Sequence, residues 1–331
     1  MKFARVFSAV FSSLAVSPSG RWSRSDPTKD TGRPLLDCGA YGFAFGIAET
    51  MTHRFHPVMR FSKHVVAILA LFPGFHLMGQ QVPKAGERGT IVIPTSPPQS
   101  DAEQLRLRLH AKETPPPYDV AGEQFDVIVP KGVKPDSPHG LFIWISAGDS
   151  TSIPKEWEAV LDSQKLIFVS AKRSGNKRNL FDRMRMAIDA NVHLRTLYPI
   201  DGRRVFVSGF SGGSRVASML GVCFAEMFSG TACFMGVNFY TDVNGEDGKT
   251  YGLNYIPDDE VAALAKRFCR YALVTSEKDF NLANTRAVLQ QGFQQEGFAN
   301  AQLFEVPGIG HQMPPATWLE KAIRYLDEGK R

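Results

Sequence analysis

The chain has 331 residues, 43% hydrophobic and 21% charged, a globular composition that excludes a disordered, collagen-like or coiled-coil protein. Its formal charge of +5 comes from residues 1–79, which hold nine of the 38 Lys and Arg residues and four of the 33 acidic ones. The remaining 29 bases and 29 acids balance, so the sequence gives no support for binding nucleic acid or an anionic membrane surface.

Residues 59–79 have the order of a secretory signal. Arg60 and Lys63 precede an apolar run at residues 65–72, and the small residue Gly79 stands before a polar stretch. The run is shorter than the roughly 20 apolar residues that cross a bilayer. We therefore expect residues 1–79 to be a leader with Met59 as the true start, and the protein to be secreted or periplasmic, with no stable membrane insertion once the leader is removed.

Residues 80–118 are rich in Pro, Gln and Ser, which predicts a linker or surface arm. Residues 119–331 then alternate apolar strands with amphipathic helices, which predicts one α/β domain whose mostly parallel sheet has helices on both faces. Strands are predicted at residues 123–129, 141–146, 166–170, 204–208, 234–239, 271–275 and 302–306. One helix is predicted to begin at about residue 154. Others are predicted at residues 179–198, 214–224, 258–268, 285–296 and 316–327.

The sequence contains no Cys-x-x-Cys motif and no Cys/His cluster, so we expect neither a metal nor a cofactor. Three of the four cysteines, Cys223, Cys233 and Cys269, lie in the predicted domain. An exported protein would permit one disulfide among them, and the sequence leaves all three pairings open.

The segment 209–213 reads Gly-Phe-Ser-Gly-Gly and lies between a predicted strand and a predicted helix. This is the context of a Gly-x-Ser-x-Gly nucleophile elbow, in which a sharp turn lifts the serine hydroxyl above the sheet. The sequence therefore predicts Ser211 as a nucleophile. The N–H of Gly212, at the start of the helix, is predicted to stabilise an oxyanion.

After Ser211 the sequence contains one histidine, His311, just beyond the strand at residues 302–306. In an elbow fold the acid precedes this histidine and follows the strand before it. We predict Asp279 as the acid, with Glu277 as the alternative. A second oxyanion donor is expected after the strand at residues 141–146, from the N–H of Gly148 or Asp149.

The segment 195–213, RTLYPIDGRRVFVSGFSGG, resembles the secreted α/β-hydrolases grouped with polyhydroxybutyrate depolymerases and feruloyl or acetylxylan esterases. The Cys-x-x-x-x-Phe-x-Gly of residues 223–230 and the Pro-Gly-x-Gly-His ending at His311 are similar to that group as well. The resemblance covers about residues 120–328. It implies an α/β-hydrolase fold, ester hydrolysis, and catalytic roles for Ser211, Asp279 and His311.

The resemblance leaves the substrate open, and we expect a small-molecule or polysaccharide-linked ester. Tyr240, Tyr251 and Tyr255 are candidates for stacking on a substrate, or equally for packing beneath a surface insertion. A basic loop at residues 172–178 is either solvated or selects an acidic substrate. Alternatives to an esterase are a peptidase or thioesterase with the same triad, or a catalytically silent scaffold that binds ligands.

Overall fold

The computed structural model describes residues 82–134 and 136–329. The predicted leader, its start at Met59 and Cys38 lie outside the described residues. Within them, Cys223, Cys233 and Cys269 are buried, and no disulfide joins any two of the three. None of the three disulfide pairings that the sequence left open is therefore formed in the structure.

An eight-stranded sheet forms the centre of the described part of the chain. Its strands are β1 Arg88–Ile91, β2 Phe125–Ile128, β3 His139–Ile145, β4 Leu166–Ala171, β5 Ile200–Phe210, β6 Gly230–Phe234, β9 Arg270–Ser276 and β10 Ala301–Val306. Their spatial order is β1-β2-β4-β3-β5-β6-β9-β10. β2 is antiparallel to both β1 and β4, whereas the pairs from β4 through to β10 are parallel. A separate hairpin joins β7 Val243–Asn244 to β8 Thr250–Tyr251.

Helices cover both faces of the sheet. They are α1 Ala102–Arg108, α2 Lys155–Ser163, α3 Leu180–Leu197, α4 Gly212–Cys223, α5 Asp259–Phe268, α6 Leu282–Ala287 and α7 Ala316–Leu326. One apolar core contains buried residues of α1, α3, α4 and α5, and a second contains those of α2 and α7. This architecture confirms the predicted α/β-hydrolase fold.

Strand β3 shows why the central strands have nearly continuous apolar sequences. Successive side chains of a strand point to opposite faces. Leu141, Ile143 and Ile145 accordingly enter the first core, and Phe142 and Trp144 enter the second. A strand covered on both faces has no exposed side and therefore no polar alternation.

The prediction that residues 80–118 form a linker or arm outside the domain is wrong from Arg88 onward. β1 pairs with β2 at the edge of the sheet, and Ile91 and Leu105 are buried in the first core. The rest of the segment is held to α3, because Asp189 accepts hydrogen bonds from Ser100 Oγ at 2.5 Å and Tyr118 Oη at 2.8 Å. The folded domain therefore begins before residue 119.

Two predicted elements differ from the structure beyond residue 230. The strand expected at residues 234–239 is β6, Gly230–Phe234, and it ends where Met235 takes a positive φ of 58°. The helix expected at residues 285–296 begins earlier as α6 and continues as a π-helical turn, Val288–Gln294. Both changes alter boundaries and leave the order of elements as predicted.

Candidate active site

Ser211 lies in the turn between β5 and α4, at the carboxyl edge of the parallel strands. Its backbone has φ 53° and ψ −119°, a conformation that costs on the order of 1–3 kcal/mol and persists only where neighbours enforce it. The Ser211 N–H donates to the Phe234 carbonyl at 2.8 Å, which ties the turn to the end of β6. The sequence predicted this turn, and the strained backbone is that of a nucleophile elbow.

Close packing explains the glycines on either side of Ser211. A Cβ on Gly213 would lie 1.9 Å from the Ile145 carbonyl oxygen, and one on Gly209 would lie 2.5 Å from the Gly213 carbonyl carbon. Both separations are far shorter than any real contact. The end of β3 therefore packs directly onto the backbone of the elbow, and glycine is required at both positions.

The structure brings the predicted nucleophile, base and acid together. His311 Nε2 lies 2.8 Å from Ser211 Oγ, and His311 Nδ1 lies 2.8 Å from Asp279 Oδ1. The Asp279 side chain is fully buried, whereas 20% of the His311 side chain is exposed. With a proton on Nδ1 held by the carboxylate, Nε2 is free to accept the serine proton.

Further hydrogen bonds fix the Asp279 carboxylate. Oδ2 accepts from Thr275 Oγ1 at 3.0 Å, and Oδ1 accepts from the Asn281 N–H at 3.0 Å. Glu277, the alternative acid, instead accepts from the Gly308 N–H at 2.9 Å. It therefore supports the loop that leads to His311 and lies away from the imidazole nitrogens.

The predicted oxyanion donors lie in two segments beside the elbow. The Gly212 N–H belongs to the first turn of α4, where backbone donors have no partner within the helix. The Gly148 N–H donates to Ser146 Oγ at 3.2 Å. Asp149 Oδ1 accepts from the Gly175 N–H at 3.3 Å, and its carbonyl accepts from the Arg173 N–H. The N–H of Gly148 is thus already engaged locally.

Arg183 links two loops at this edge of the sheet and was missed by sequence analysis. It is 1% exposed, and it donates from Nη2 to the Ser146 carbonyl at 2.9 Å and from Nε to the Ser174 carbonyl at 2.7 Å. Burial lowers the pKa of its guanidinium to about 10. Ser146 directly precedes the predicted oxyanion segment, so Arg183 fixes the backbone there. A helical Arg bonded to distant carbonyls leaves no pattern in a sequence.

Arg215 supports the acid loop in a similar way and was also missed. Its guanidinium donates to Asn281 Oδ1 at 2.8 Å and to the Val237 carbonyl at 3.0 Å. Asn281 in turn donates from Nδ2 to the Met235 carbonyl and from its N–H to Asp279. Burial lowers the pKa of Arg215. The first turn of α4 is thereby connected to the loop that carries the carboxylate.

The three tyrosines predicted for substrate contact have different surroundings. Tyr255 is 4% exposed and lies in the first core, so its prediction as a substrate contact is wrong. Tyr240 packs on Phe239 and donates to Glu296, so it contributes to the fold. Tyr251 is half-buried and donates to Asp247 at 2.8 Å.

The basic loop is largely neutralised by acids of the domain. Arg178 pairs with Glu123 at 2.6 Å and with Asp182 at 2.9 Å, and Lys172 pairs with Asp126 at 3.2 Å. Arg173 also pairs with Glu123, at 3.6 Å, so three of the loop's four basic residues have an acidic partner. The loop is therefore better explained as part of the fold than as a site for an acidic substrate.

Among the described residues, no group of three or more His, Cys, Asp or Glu is arranged to hold a metal ion. In the same part of the chain, no helix has the length and apolar character needed to cross a membrane.

No family model matches this chain, and the comparison with curated proteins finds no match. Solved structures that it resembles include Est1E from Butyrivibrio proteoclasticus, at 14% identity over 62% of this chain and 94% of that one, with a TM-score of 0.45. A ferulic acid esterase from Anaeromyces mucronatus matches at 14% identity over 61% and 84%, with a TM-score of 0.47. S-formylglutathione hydrolase from Staphylococcus aureus matches at 13% identity over 62% and 92%, with a TM-score of 0.45. The strand order and the elbow of this chain define it as a protein of the α/β-hydrolase fold.

Proposed function

We propose that this protein is a serine hydrolase that cleaves carboxylic esters through an acyl-enzyme intermediate. The observation that carries the proposal is the hydrogen-bonded chain from Asp279 through His311 to Ser211, with both bonds 2.8 Å long. A serine hydroxyl is a weak nucleophile until an adjacent base removes its proton, and the base must be oriented by a third group. The contacts of Ser211, His311 and Asp279 at the carboxyl edge of the sheet support these roles of nucleophile, base and orienting acid.

In the proposed reaction, Ser211 Oγ attacks the ester carbonyl as His311 Nε2 takes its proton. The Gly212 N–H, at the positive end of α4, stabilises the negative charge on the carbonyl oxygen. His311 then returns the proton to the departing alcohol, which leaves the acyl group on Ser211. A water molecule, deprotonated by His311, hydrolyses this intermediate. Asp279 holds the imidazole tautomer and stabilises the imidazolium throughout.

The proposal is tested by labelling and by turnover. A fluorophosphonate probe should attach to the peptide that contains Ser211, and the protein should hydrolyse p-nitrophenyl acetate. Ser211→Ala should abolish labelling and reduce kcat to the level left by binding and oxyanion stabilisation, a loss of about 10⁶-fold by analogy with other serine hydrolases. Removal of the exposed Ser163 hydroxyl at the end of α2, in Ser163→Ala, is the matched control.

Near-normal turnover by Ser211→Ala, in protein free of other esterases, would contradict the proposal. Labelling without turnover of any ester would instead favour a peptidase or thioesterase. A folded protein that is neither labelled nor active would be a silent scaffold.

We further propose that the protein is exported, to a secreted or periplasmic location. The basic residues and the apolar run within residues 59–79 support this proposal, together with the neutral charge balance of the chain from residue 80 onward.

A further inference from the structure

Phe280 is the most exposed of the large hydrophobic side chains in the described residues, with 72% of its surface open to water. It follows Asp279 directly, and its ring lies against the His311 imidazole with 4.2 Å between centroids and 31° between planes. A single exposed Phe needs no explanation on most of a protein surface. Its contact with the proposed general base gives this one a specific position in the site.

The position of the departing alcohol follows from the chemistry of His311. The proton that Ser211 loses passes through Nε2 to the ester oxygen that leaves, as the Ser211 Oγ–carbon bond forms and the carbon–alcohol oxygen bond breaks. That oxygen must come within about 3 Å of Nε2. Because the imidazole and the Phe280 ring are in contact, a group attached to the leaving oxygen is within reach of the exposed Phe280 side chain.

Two further observations favour an apolar occupant of this space. Phe210 also contacts the same imidazole, with 5.1 Å between ring centroids. The acids nearest in sequence are already engaged, since Glu277 accepts from Gly308 and Asp279 is buried. The exposed Phe280 ring thus offers a planar apolar surface.

We propose that Phe280 forms the wall of a leaving-group subsite that takes a flat apolar alcohol, such as a benzyl alcohol. The inference rests on the proposed ester hydrolysis and deepens it, because it assigns the alcohol side of the ester to a residue. Phe280 acts here as a specificity-determining residue that touches the substrate.

Matched esters separate this role from catalysis. Benzyl acetate and ethyl acetate share an acyl group, and their alcohols have similar acidity, so the ratio of their kcat/KM values reports contact with the alcohol group. Phe280→Ala should lower this ratio by about three- to tenfold, the effect expected for loss of an aromatic contact. Phe280→Tyr, which keeps the ring, should restore it.

Phe268→Ala is the matched control, because Phe268 is also exposed, at 59%. Phe268 is the last residue of α5 and precedes the start of β9, so it lies at the opposite end of the parallel strands from Ser211. This variant should leave the benzyl-to-ethyl ratio unchanged. A second series, ethyl 3-phenylpropanoate against ethyl acetate, places the ring on the acyl side. Phe280→Ala should change this second ratio much less.

Three results would overturn the inference. The first is an unchanged benzyl-to-ethyl ratio in Phe280→Ala. The second is a fall in the acyl-side ratio instead, which would place Phe280 on the acyl side. If the wild-type protein hydrolyses p-nitrophenyl acetate but does not hydrolyse benzyl acetate, the subsite fails and the proposed function stands, whereas a wild type that hydrolyses no ester removes both. That last result is recognised in the wild type before any variant is compared.

Discussion

At the scale of single residues, two carboxylates in one loop have different hydrogen-bond partners. Asp279 is buried and contacts His311 Nδ1, whereas Glu277 is exposed and accepts from the Gly308 backbone. The sequence places both after β9 and predicts Asp279 as the acid, with Glu277 as the alternative. Only the direction of each side chain, which no spacing rule gives, separates the two.

Asp279→Asn should lower kcat by about 10⁴-fold, because an amide no longer holds the imidazole in the tautomer whose Nε2 accepts the Ser211 proton. Glu277→Gln keeps an oxygen that can accept from Gly308 and should reduce kcat by no more than a few-fold. Steady-state kinetics with p-nitrophenyl acetate measure both. The opposite order of the two variants would transfer the role of the acid to Glu277, and equal large losses would indicate a disordered loop.

At the scale of secondary-structure elements, α3 carries two buried arginines that bind backbone carbonyls of distant segments. Arg183 donates to Ser146 and Ser174 beside the elbow, and Arg185 donates to Ser100 and Pro116 in the segment that precedes β2. Both residues are almost fully buried. Each arginine holds two backbone carbonyls, but only those bound by Arg183 lie beside the elbow, so variants of the two residues can be compared directly.

Arg183→Met should lower both stability and kcat. The variant removes the donor from the carbonyls of Ser174, which is buried, and Ser146, which is half-buried. A buried carbonyl left without a donor costs about 1–3 kcal/mol in the free energy of unfolding, and a half-buried one costs less. It also frees the segment that leads to Asp149, the other candidate for the second oxyanion donor, and loss of one oxyanion donor lowers kcat by about 10²–10³-fold. Arg183→Lys, which can reach one carbonyl, should fall between Met and the wild type.

Arg185→Met is the control, since it removes the same group from the same helix. Denaturant unfolding should show destabilisation of both Met variants, whereas only Arg183→Met should lower kcat in protein that remains folded. A normal kcat in Arg183→Met, or an equal loss in Arg185→Met, would show that Arg183 contributes to stability alone.

At the scale of the whole molecule, much of the architecture could be predicted because apolar strands covered on both faces are conspicuous in a sequence. The elbow was predictable from its glycines, and His311 from being the one histidine after Ser211. Strand β1 could not be predicted in the same way. It has only four residues, half of them polar, and it lies at a sheet edge in a segment rich in Pro. Arg183, Arg215 and Phe280 were missed because their roles depend on contacts between loops that lie far apart in sequence.

The integration of β1 and α1 leads to a prediction about where the chain can be shortened. A chain that begins at Gln80 should fold and keep full activity, because the sheet edge β1 and the Asp189 contacts with Ser100 and Tyr118 are retained. A chain that begins at Asp119 lacks them. It should lose solubility or unfold at much lower denaturant, since Phe125 and Val127 of β2 would lose the apolar side chains of Ile91 and Leu105 that share their core.

The same boundary is expected in the protein that its native host releases. The charge balance and the apolar run at residues 65–72 predict a mature chain that begins near Gln80, because an apolar run left in place would favour aggregation. Intact-mass measurement of the secreted protein gives the first residue, and thermal unfolding compares the full chain with the chain from Gln80. Soluble, active enzyme that still carries residues 1–79 would show that these residues belong to the working protein and that the export proposal is wrong.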